Sequence, residues 1–302
     1  MPFKLNSWVC MTKIKGGHHI MHSIKKQNLI NNILAFIFLA IIAIAVLIPF
    51  YFMVVSSFKS AQDIFSNGLN VHLDFSKMNL DNYKSLWTNR GGIYWLWYRN
   101  SLVITIVQTI LVLILTSMVG YGLAMYRFKG RNVIFIIVLV MMMFPGDVLT
   151  IPMYELITKL GLLNTYAGVI LPGIVPAGTI FFFRQFCMGL APDYAESARL
   201  DGCGEFRIFW QIYVPLMKPA FGAMTILTTM GAWNSFLWPL IVMKSDTNFF
   251  IPAGLMSAMT PYGNNYQLLF AGSVMSILPI MLVFIFNQKA FQDGFVVGGV
   301  KG

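Results

Sequence analysis

Residues 194–206, YAESARLDGCGEF, place charged and small side chains between two long apolar runs. Asp193 and Glu196, three residues apart, predict a helix start of the capping-box kind. Gly202 predicts a helix end in the left-handed conformation that glycine adopts without strain. The segment therefore predicts a short helix over 194–201, of about two turns, that is rigidly defined at both ends.

The side chains of this helix suit contact with another protein better than they suit catalysis. Glu196 and Arg199, three residues apart, can pair with each other or present their charges to a partner. Ala195 and Ala198 are small and also three apart, which predicts that a partner can approach that face closely. The alternative is a surface helix that binds no partner.

A second cluster of polar residues, in GAWNSFLWP, lies within the apolar run 219–243. Trp233 offers a ring face, and Asn234 and Ser235 offer hydrogen bonds, which together can bind a sugar. The alternative is helix packing, with Gly231 and Ser235 as a small-residue contact and Asn234 bonded to a neighbouring helix. The sequence leaves open whether these residues line a solute path or hold helices together.

Asp147 is the acidic residue that needs a separate explanation, because it falls in an otherwise apolar run. It follows Pro145 and Gly146, so the helix predicted there is broken near its outer end. A carboxylate in such a place either faces a translocation path or lies at the membrane interface. Both interpretations stay open at this point.

The chain lacks the motifs of catalysis and metal binding. It has no GxxxxGK[ST] phosphate loop, no HExxH pair and no nucleophile elbow. Cys10, Cys187 and Cys203 do not form a CxxC pair, and no histidine stands at ligand spacing from them. We therefore predict a protein with no catalytic residues, no metal site and no bound cofactor.

Composition determines the class of protein. Of the 302 residues, 57% are hydrophobic and only 11% are charged, with a mean hydropathy of +0.70, whereas soluble domains carry roughly a quarter charged residues. A bilayer-spanning helix needs about 20 mostly apolar residues. The sequence thus predicts an all-α integral membrane protein with six transmembrane helices, at about 29–55, 101–125, 133–153, 166–186, 219–243 and 269–288.

The distribution of basic residues predicts the orientation. The tail 1–28 contains lysines and no carboxylate, and the loops after the second and fourth runs are also basic. The positive-inside rule places both termini, 1–28 and 291–302, in the cytoplasm. Segment 56–99 is then an extracytoplasmic loop, with the aromatic run YWLWY at 94–98 expected at the outer interface. Most of the net charge of +10 is a topology signal, and no nucleic-acid-binding module accompanies it.

The stretch ESARLDGCGEFRIFWQIYVP, from Glu196 to Pro215, resembles the EAA loop of permease subunits of binding-protein-dependent ABC importers. Ser197 stands at the middle alanine of that motif and Val214 at the leucine before the proline. YRFKGRN, MMMFPGDVLTIPMY, KLGLLNTY, GAWNSFLWPLIV and GFVVGGVKG resemble the carbohydrate-uptake branch, in particular the shorter permease subunit of the maltose-transporter type. The resemblance extends over about 29–302.

The resemblance implies a type I ABC importer permease fold, with a transmembrane domain at 96–290 and an EAA loop at 190–218. In that family the short loop helix is the coupling helix, which docks on an ATPase. It implies a bacterial cytoplasmic membrane, a longer paralogous permease as heterodimer partner, two cytoplasmic ATPase subunits that use ATP with magnesium, and an extracytoplasmic solute-binding protein. The residues assigned to coupling are Glu196, Ala198, Arg199, Asp201 and Gly202.

The resemblance also implies a carbohydrate solute, with an oligosaccharide favoured. A polyol phosphate and a uronate oligosaccharide are alternatives, and no basic residue lies deep within the predicted spans to favour such anions. A stand-alone secondary transporter is the rival class, and it would show inverted repeats and buried charges.

Overall fold

The computed structural model describes residues 8–65, 74–260 and 263–299. By its internal contacts the chain divides into two compact units, Met1–Ser56 and Ser57–Gly302. Each unit is predominantly helical over its described residues.

The helices are numbered along the chain. They are α1 (Trp8–Ser57), α2 (Ala61–Phe65), α3 (Asp81–Thr88), α4 (Ile93–Met125), α5 (Arg131–Met143), α6 (Thr150–Lys159), α7 (Tyr166–Ile170), α8 (Ala177–Met188), α9 (Asp193–Leu200), α10 (Glu205–Ile208), α11 (Val214–Leu216), α12 (Lys218–Trp233), α13 (Leu237–Val242), α14 (Ile251–Ser257) and α15 (Tyr266–Gly299). Between α14 and α15, strands β1 (Met259–Thr260) and β2 (Gly263–Asn264) pair antiparallel.

The first unit consists of most of α1. This helix has 50 residues, so it extends about 75 Å, well beyond a hydrocarbon core of roughly 30 Å. Within α1 only Ile30–Ser57 is apolar enough to cross a membrane, and no side chain in its most apolar window is buried. Helix α1 begins at Trp8 and continues without a break across the boundary between the tail 1–28 and the first predicted span. The cytoplasmic location of that tail stays a prediction.

Three helical segments are long and apolar enough to span a membrane, and two bent pairs raise the number to five. The long ones are Ile30–Ser57, α4 and Tyr266–Gln292. The bent pairs are α5 with Gly146–Lys159, at 96°, and Tyr166–Gly173 with α8, at 45°. The predicted run 219–243 forms α12 and α13, each too short to span alone, so the structure does not show six long helices.

The bends have a local cause in proline. Pro145 follows Phe144, whose backbone is extended at φ −79° and ψ 127°, because the residue before a proline is driven out of the helical region. Pro176 likewise has an extended backbone, and α8 begins immediately after it. The chain therefore leaves the helical path at both points.

The second unit is held together by close helix packing. Gly120 of α4 lies against α8, where a β-carbon on Gly120 would come within 2.7 Å of Phe183 Cβ and 2.8 Å of the Arg184 backbone nitrogen. Helix α12 packs along α15 in the same close manner. Glycine at position 120 therefore lets α4 and α8 approach nearly backbone to backbone, as is common in membrane helices.

The aromatic run at the start of α4 is part of the protein core. Tyr94 and Trp97 are completely buried. The Tyr94 hydroxyl donates a hydrogen bond to the Gly272 carbonyl at 2.8 Å, and the Trp97 indole donates one to the Asp246 carbonyl at 2.7 Å. The prediction that this run forms a belt at the membrane interface is therefore wrong for these two residues.

Candidate functional site

Helix α9 forms at the position that the sequence predicts, but its first turn is made differently. It runs from Asp193 to Leu200, with Pro192 at the N-cap and no side-chain cap hydrogen bond. Asp193 and Glu196 lie inside the first turn, where a negative charge still interacts favourably with the helix dipole. The predicted capping box is therefore not formed.

The C-terminal end of α9 agrees with the prediction from Gly202. This glycine has φ +79°. Its N–H donates to the Arg199 carbonyl at 3.0 Å, and the Cys203 N–H donates to the Ala198 carbonyl at 3.0 Å. These two bonds form a Schellman motif, which satisfies carbonyls that a helix end would otherwise leave unpaired. The helix therefore ends in a defined turn.

The two faces of α9 have different neighbours from those expected. Ala195 and Ala198 are 2% and 7% exposed and pack into the core of their own chain. The prediction that a partner approaches this alanine face is therefore wrong. Leu200 is 89% exposed and Tyr194 51% exposed. The apolar surface that α9 offers to a partner lies at these residues, which the sequence reasoning did not single out.

Arg199 pairs with Glu205 across the turn. Its Nε donates to Glu205 Oε1 at 2.6 Å and its Nη2 to Oε2 at 3.2 Å. The Tyr126 hydroxyl, from the end of α4, donates to Oε2 of the same carboxylate at 2.5 Å. Glu196 is exposed and has no ion pair within the described part of the chain. Glu205 thus joins α9 to the body of the protein.

The hydrogen bonds from Arg199, and then from Tyr126, lower the pKa of the Glu205 carboxyl below its ordinary value. A carboxyl whose pKa is lower in the folded state stabilises that state at neutral pH. This contribution is lost as the pH falls through the lowered pKa. Because the side chain is 46% exposed, solvent screening keeps the contribution small.

Replacing Glu205 by glutamine is expected to loosen α9. Glu205→Gln removes the charge that Arg199 binds, so amide hydrogen exchange in 193–203 should accelerate about two- to fivefold. Glu196→Gln makes the same chemical change at an exposed position of α9. It removes only a weak interaction with the helix dipole, so it should accelerate exchange less than Glu205→Gln does. Exchange measured by mass spectrometry on the purified protein compares the two. Equal acceleration in both variants would contradict the role assigned to Glu205.

A second candidate site is a pair of adjoining cavities between α4, α8, α12 and the chain breaks. Their volumes are about 430 and 530 Å³, within the range of small-molecule sites. Gln108 and Gly173 line both, so we call the two together the groove. Its polar lining residues are Gln108, Asp147, Thr150, Thr179, Thr228 and Ser235.

Three interruptions of the helices meet at the groove. Gly146 lies after the first break and Gly173 before the second, while Ser235 lies between α12 and α13. All three line it. Non-helical backbone within a membrane protein needs protein or water to satisfy its polar groups. The groove is therefore a place where this chain meets water or another polar partner.

Of the residues predicted as candidates for the solute path, only some line the groove. Asp147 and Ser235 line the same cavity, whereas Trp233 is 4% exposed and donates its indole hydrogen to the Ser276 carbonyl at 3.0 Å. Trp233 is thus a packing residue. Asn234 is exposed at the C-cap of α12 and lines neither cavity.

Gln108 was not identified by the sequence reasoning. It lies in α4, and its side chain lines both cavities next to Gly173, where a β-carbon would collide with the Gln108 amide nitrogen. The available signal was an amide inside a long apolar run, since polar residues in membrane spans mark either a helix contact or a solute path.

The comparisons with known proteins agree with this geometry. Residues 113–294 match the family model described as binding-protein-dependent transport system inner membrane component. This match covers more than half of the chain, so the chain belongs to that family. It is a multi-pass membrane permease, and the resemblance to ABC importer permeases is confirmed.

Particular relatives are similar over nearly their whole length. The chain is 49% identical over 266 residues to the arabinooligosaccharides transport system permease protein AraQ of Bacillus subtilis, covering 88% of this chain and 94% of the relative. It is 33% identical to the lactose transport system permease protein LacG of Rhizobium radiobacter, covering 87% and 94%. A crystal structure of a bacterial ABC transporter involved in the import of the acidic polysaccharide alginate has a chain of the same fold, with TM-score 0.75, 22% identity and coverage of 96% and 99%.

Proposed function

We propose that this chain is one permease subunit of an ATP-driven importer for a neutral oligosaccharide that contains arabinose. The observation that carries the proposal is the 49% identity to the arabinooligosaccharide permease over almost the whole of both chains. The alginate transporter shares only the fold at 22% identity, so a uronate oligosaccharide is the less favoured solute. A polyol phosphate is also a less favoured solute, because no basic residue is among the described ones that line the groove and could bind its anionic group.

We infer that α9 is the coupling helix of this importer. Its fixed end at Gly202 and the Arg199–Glu205 pair make it a stiff extension of the membrane domain, which suits transmission of force. Leu200 and Tyr194, both well exposed, form the apolar surface for the ATPase. Glu196 and Asp201 supply charge around that surface, and Ala198 anchors the helix from behind.

The proposed assembly contains a longer paralogous permease, two ATPase subunits that use ATP with magnesium, and an extracytoplasmic solute-binding protein. Each permease contributes half of the translocation path, and the groove is the part contributed by this chain. Both termini lie in the cytoplasm of a bacterium, where the basic tail 1–28 satisfies the positive-inside rule.

The proposal is tested by purifying the tagged chain from its native membrane in mild detergent. Mass spectrometry should identify a longer permease and an ATPase in the complex. After reconstitution with the binding protein, labelled arabinooligosaccharide should accumulate in vesicles when ATP is supplied to the ATPase side. Unlabelled glycerol 3-phosphate in excess should leave this uptake unchanged.

A homo-oligomer that contains no ATPase would overturn the importer assignment and favour a secondary transporter. An importer that moves glycerol phosphate or uronate oligosaccharide in place of the neutral sugar would keep the class and correct the solute. A non-hydrolysable ATP analogue is the control, since uptake that continues with it is not driven by ATP.

A further inference from the structure

We infer that Asp147 is a charge-selectivity residue of the groove and that Gln108 lies in the water-filled path that Asp147 controls. This inference rests on the proposed function, because it assigns a role within the same translocation path. It adds a mechanism by which the membrane subunit itself discriminates against anionic solutes.

The described lining of the groove contains a single charged side chain. Asp147 is the single charged residue among the described residues that line either cavity, and no lysine or arginine is among them. Lys244, whose ammonium lies 5.3 Å from the Tyr154 ring centroid, does not line the groove. The charge carried by the lining side chains is therefore that of one carboxylate.

Asp147 lies at a break between helices and has no ionic partner among the described residues. It lies two residues after Pro145 in a 3-10 turn that follows the 96° bend, and its side chain forms no ion pair within the described ranges. A carboxylate facing lipid is costly. An unpaired carboxylate beside Gln108, Thr150 and Ser235 is therefore best explained by water in the groove. In a confined channel bordered by apolar walls such a charge acts over a longer distance than at an open surface.

Gln108 lies where the two cavities of the groove adjoin. It is the polar side chain common to both cavities, so a solute that passes from one cavity to the other passes its amide. An amide both donates and accepts hydrogen bonds, which suits the hydroxyl groups of a neutral sugar. The apolar lining residues Trp238, Phe236 and Phe182 offer surfaces for the non-polar faces of sugar rings.

The inference is tested by thiol labelling in the complete importer, reconstituted in vesicles. Gln108→Cys is introduced where Cys10 and Cys203 are replaced by serine, and Cys187 stays because it is fully buried. The modification rates of cationic and anionic methanethiosulfonates are measured. With Asp147 present, the cationic reagent should react faster. Asp147→Asn should lower the cationic-to-anionic ratio by about tenfold at low salt and less at high salt.

Two matched controls make the test specific. Ile106→Cys lies on the same helix, turned by about 200° from Gln108, and lines neither cavity. It should react much more slowly with both reagents. Lys244→Gln removes one unit charge of the opposite sign outside the groove lining, and it should change the ratio less than twofold in either direction.

Each outcome has a distinct meaning. Equal rates at positions 106 and 108 would show that Gln108 does not lie in a selective water path. A ratio that Asp147→Asn leaves unchanged, or that Lys244→Gln shifts as much, would overturn the role of Asp147. In both cases ATP-driven sugar uptake by the same vesicles would still support the proposed function. Loss of that uptake in the unmodified importer would instead refute the proposed function.

Discussion

Gly202→Val should reduce ATP-driven uptake by roughly tenfold while the chain still inserts into the membrane at its normal level. Gly202 has φ +79°, and a β-carbon there meets no atom within 4 Å. The cost is therefore purely one of backbone conformation. For a β-branched residue it amounts to about 1–3 kcal/mol, enough to open the turn that ends α9. Uptake and ATPase copurification are measured on the same preparation.

Two variants control for the change in side chain. Gly204 lies two residues further on, at φ −71° and ψ 152°, also in open space. Gly204→Val is therefore expected to retain most activity, because valine prefers this extended conformation. Gly202→Asn should be intermediate, since asparagine tolerates the left-handed region. Full uptake and full ATPase binding by Gly202→Val would show that the fixed end of α9 is not needed for coupling.

Gly120→Val should lower the stability of the membrane domain more than any other change considered. The new side chain would enter the contact between α4 and α8, where Phe183 Cβ and the Arg184 backbone leave no space for it. Backbone atoms cannot give way as a flexible side chain can, so the helices must separate. Overpacking of this kind typically costs about 1–3 kcal/mol, and occasionally more. The melting temperature of the protein in detergent should therefore fall by several degrees.

Gly122→Val is the matched control, two residues along the same helix. A β-carbon at Gly122 meets nothing within 4 Å, so this variant carries the helix-propensity change of valine without the collision. Its melting temperature should stay close to that of the unmodified protein. If both variants melt together below the unmodified protein, the effect comes from helix propensity and the close packing at Gly120 is not its cause.

The groove shows why individual residues were harder to predict than segments. Asp147 and Ser235 are 88 positions apart in the sequence, and no pattern along the chain says that they share a cavity with Gln108. Trp233 and Ser235 are near neighbours, yet one is buried in the core and the other lines the groove. Proline breaks were visible in the sequence, but their meeting at one place depends on how the helices pack.

The sequence by itself determined what depends on local physics. The apolar runs determined a helical membrane protein, because lipid leaves backbone groups no other partner. The left-handed end of α9 followed from Gly202, since φ preference is a property of one residue. The tertiary structure alone decided the choice of Glu205 over Glu196 as the partner of Arg199, the inward direction of Ala195 and Ala198, and the polar lining of the groove. These depend on contacts between distant segments, where burial and geometry select one of several pairings that the sequence allows equally.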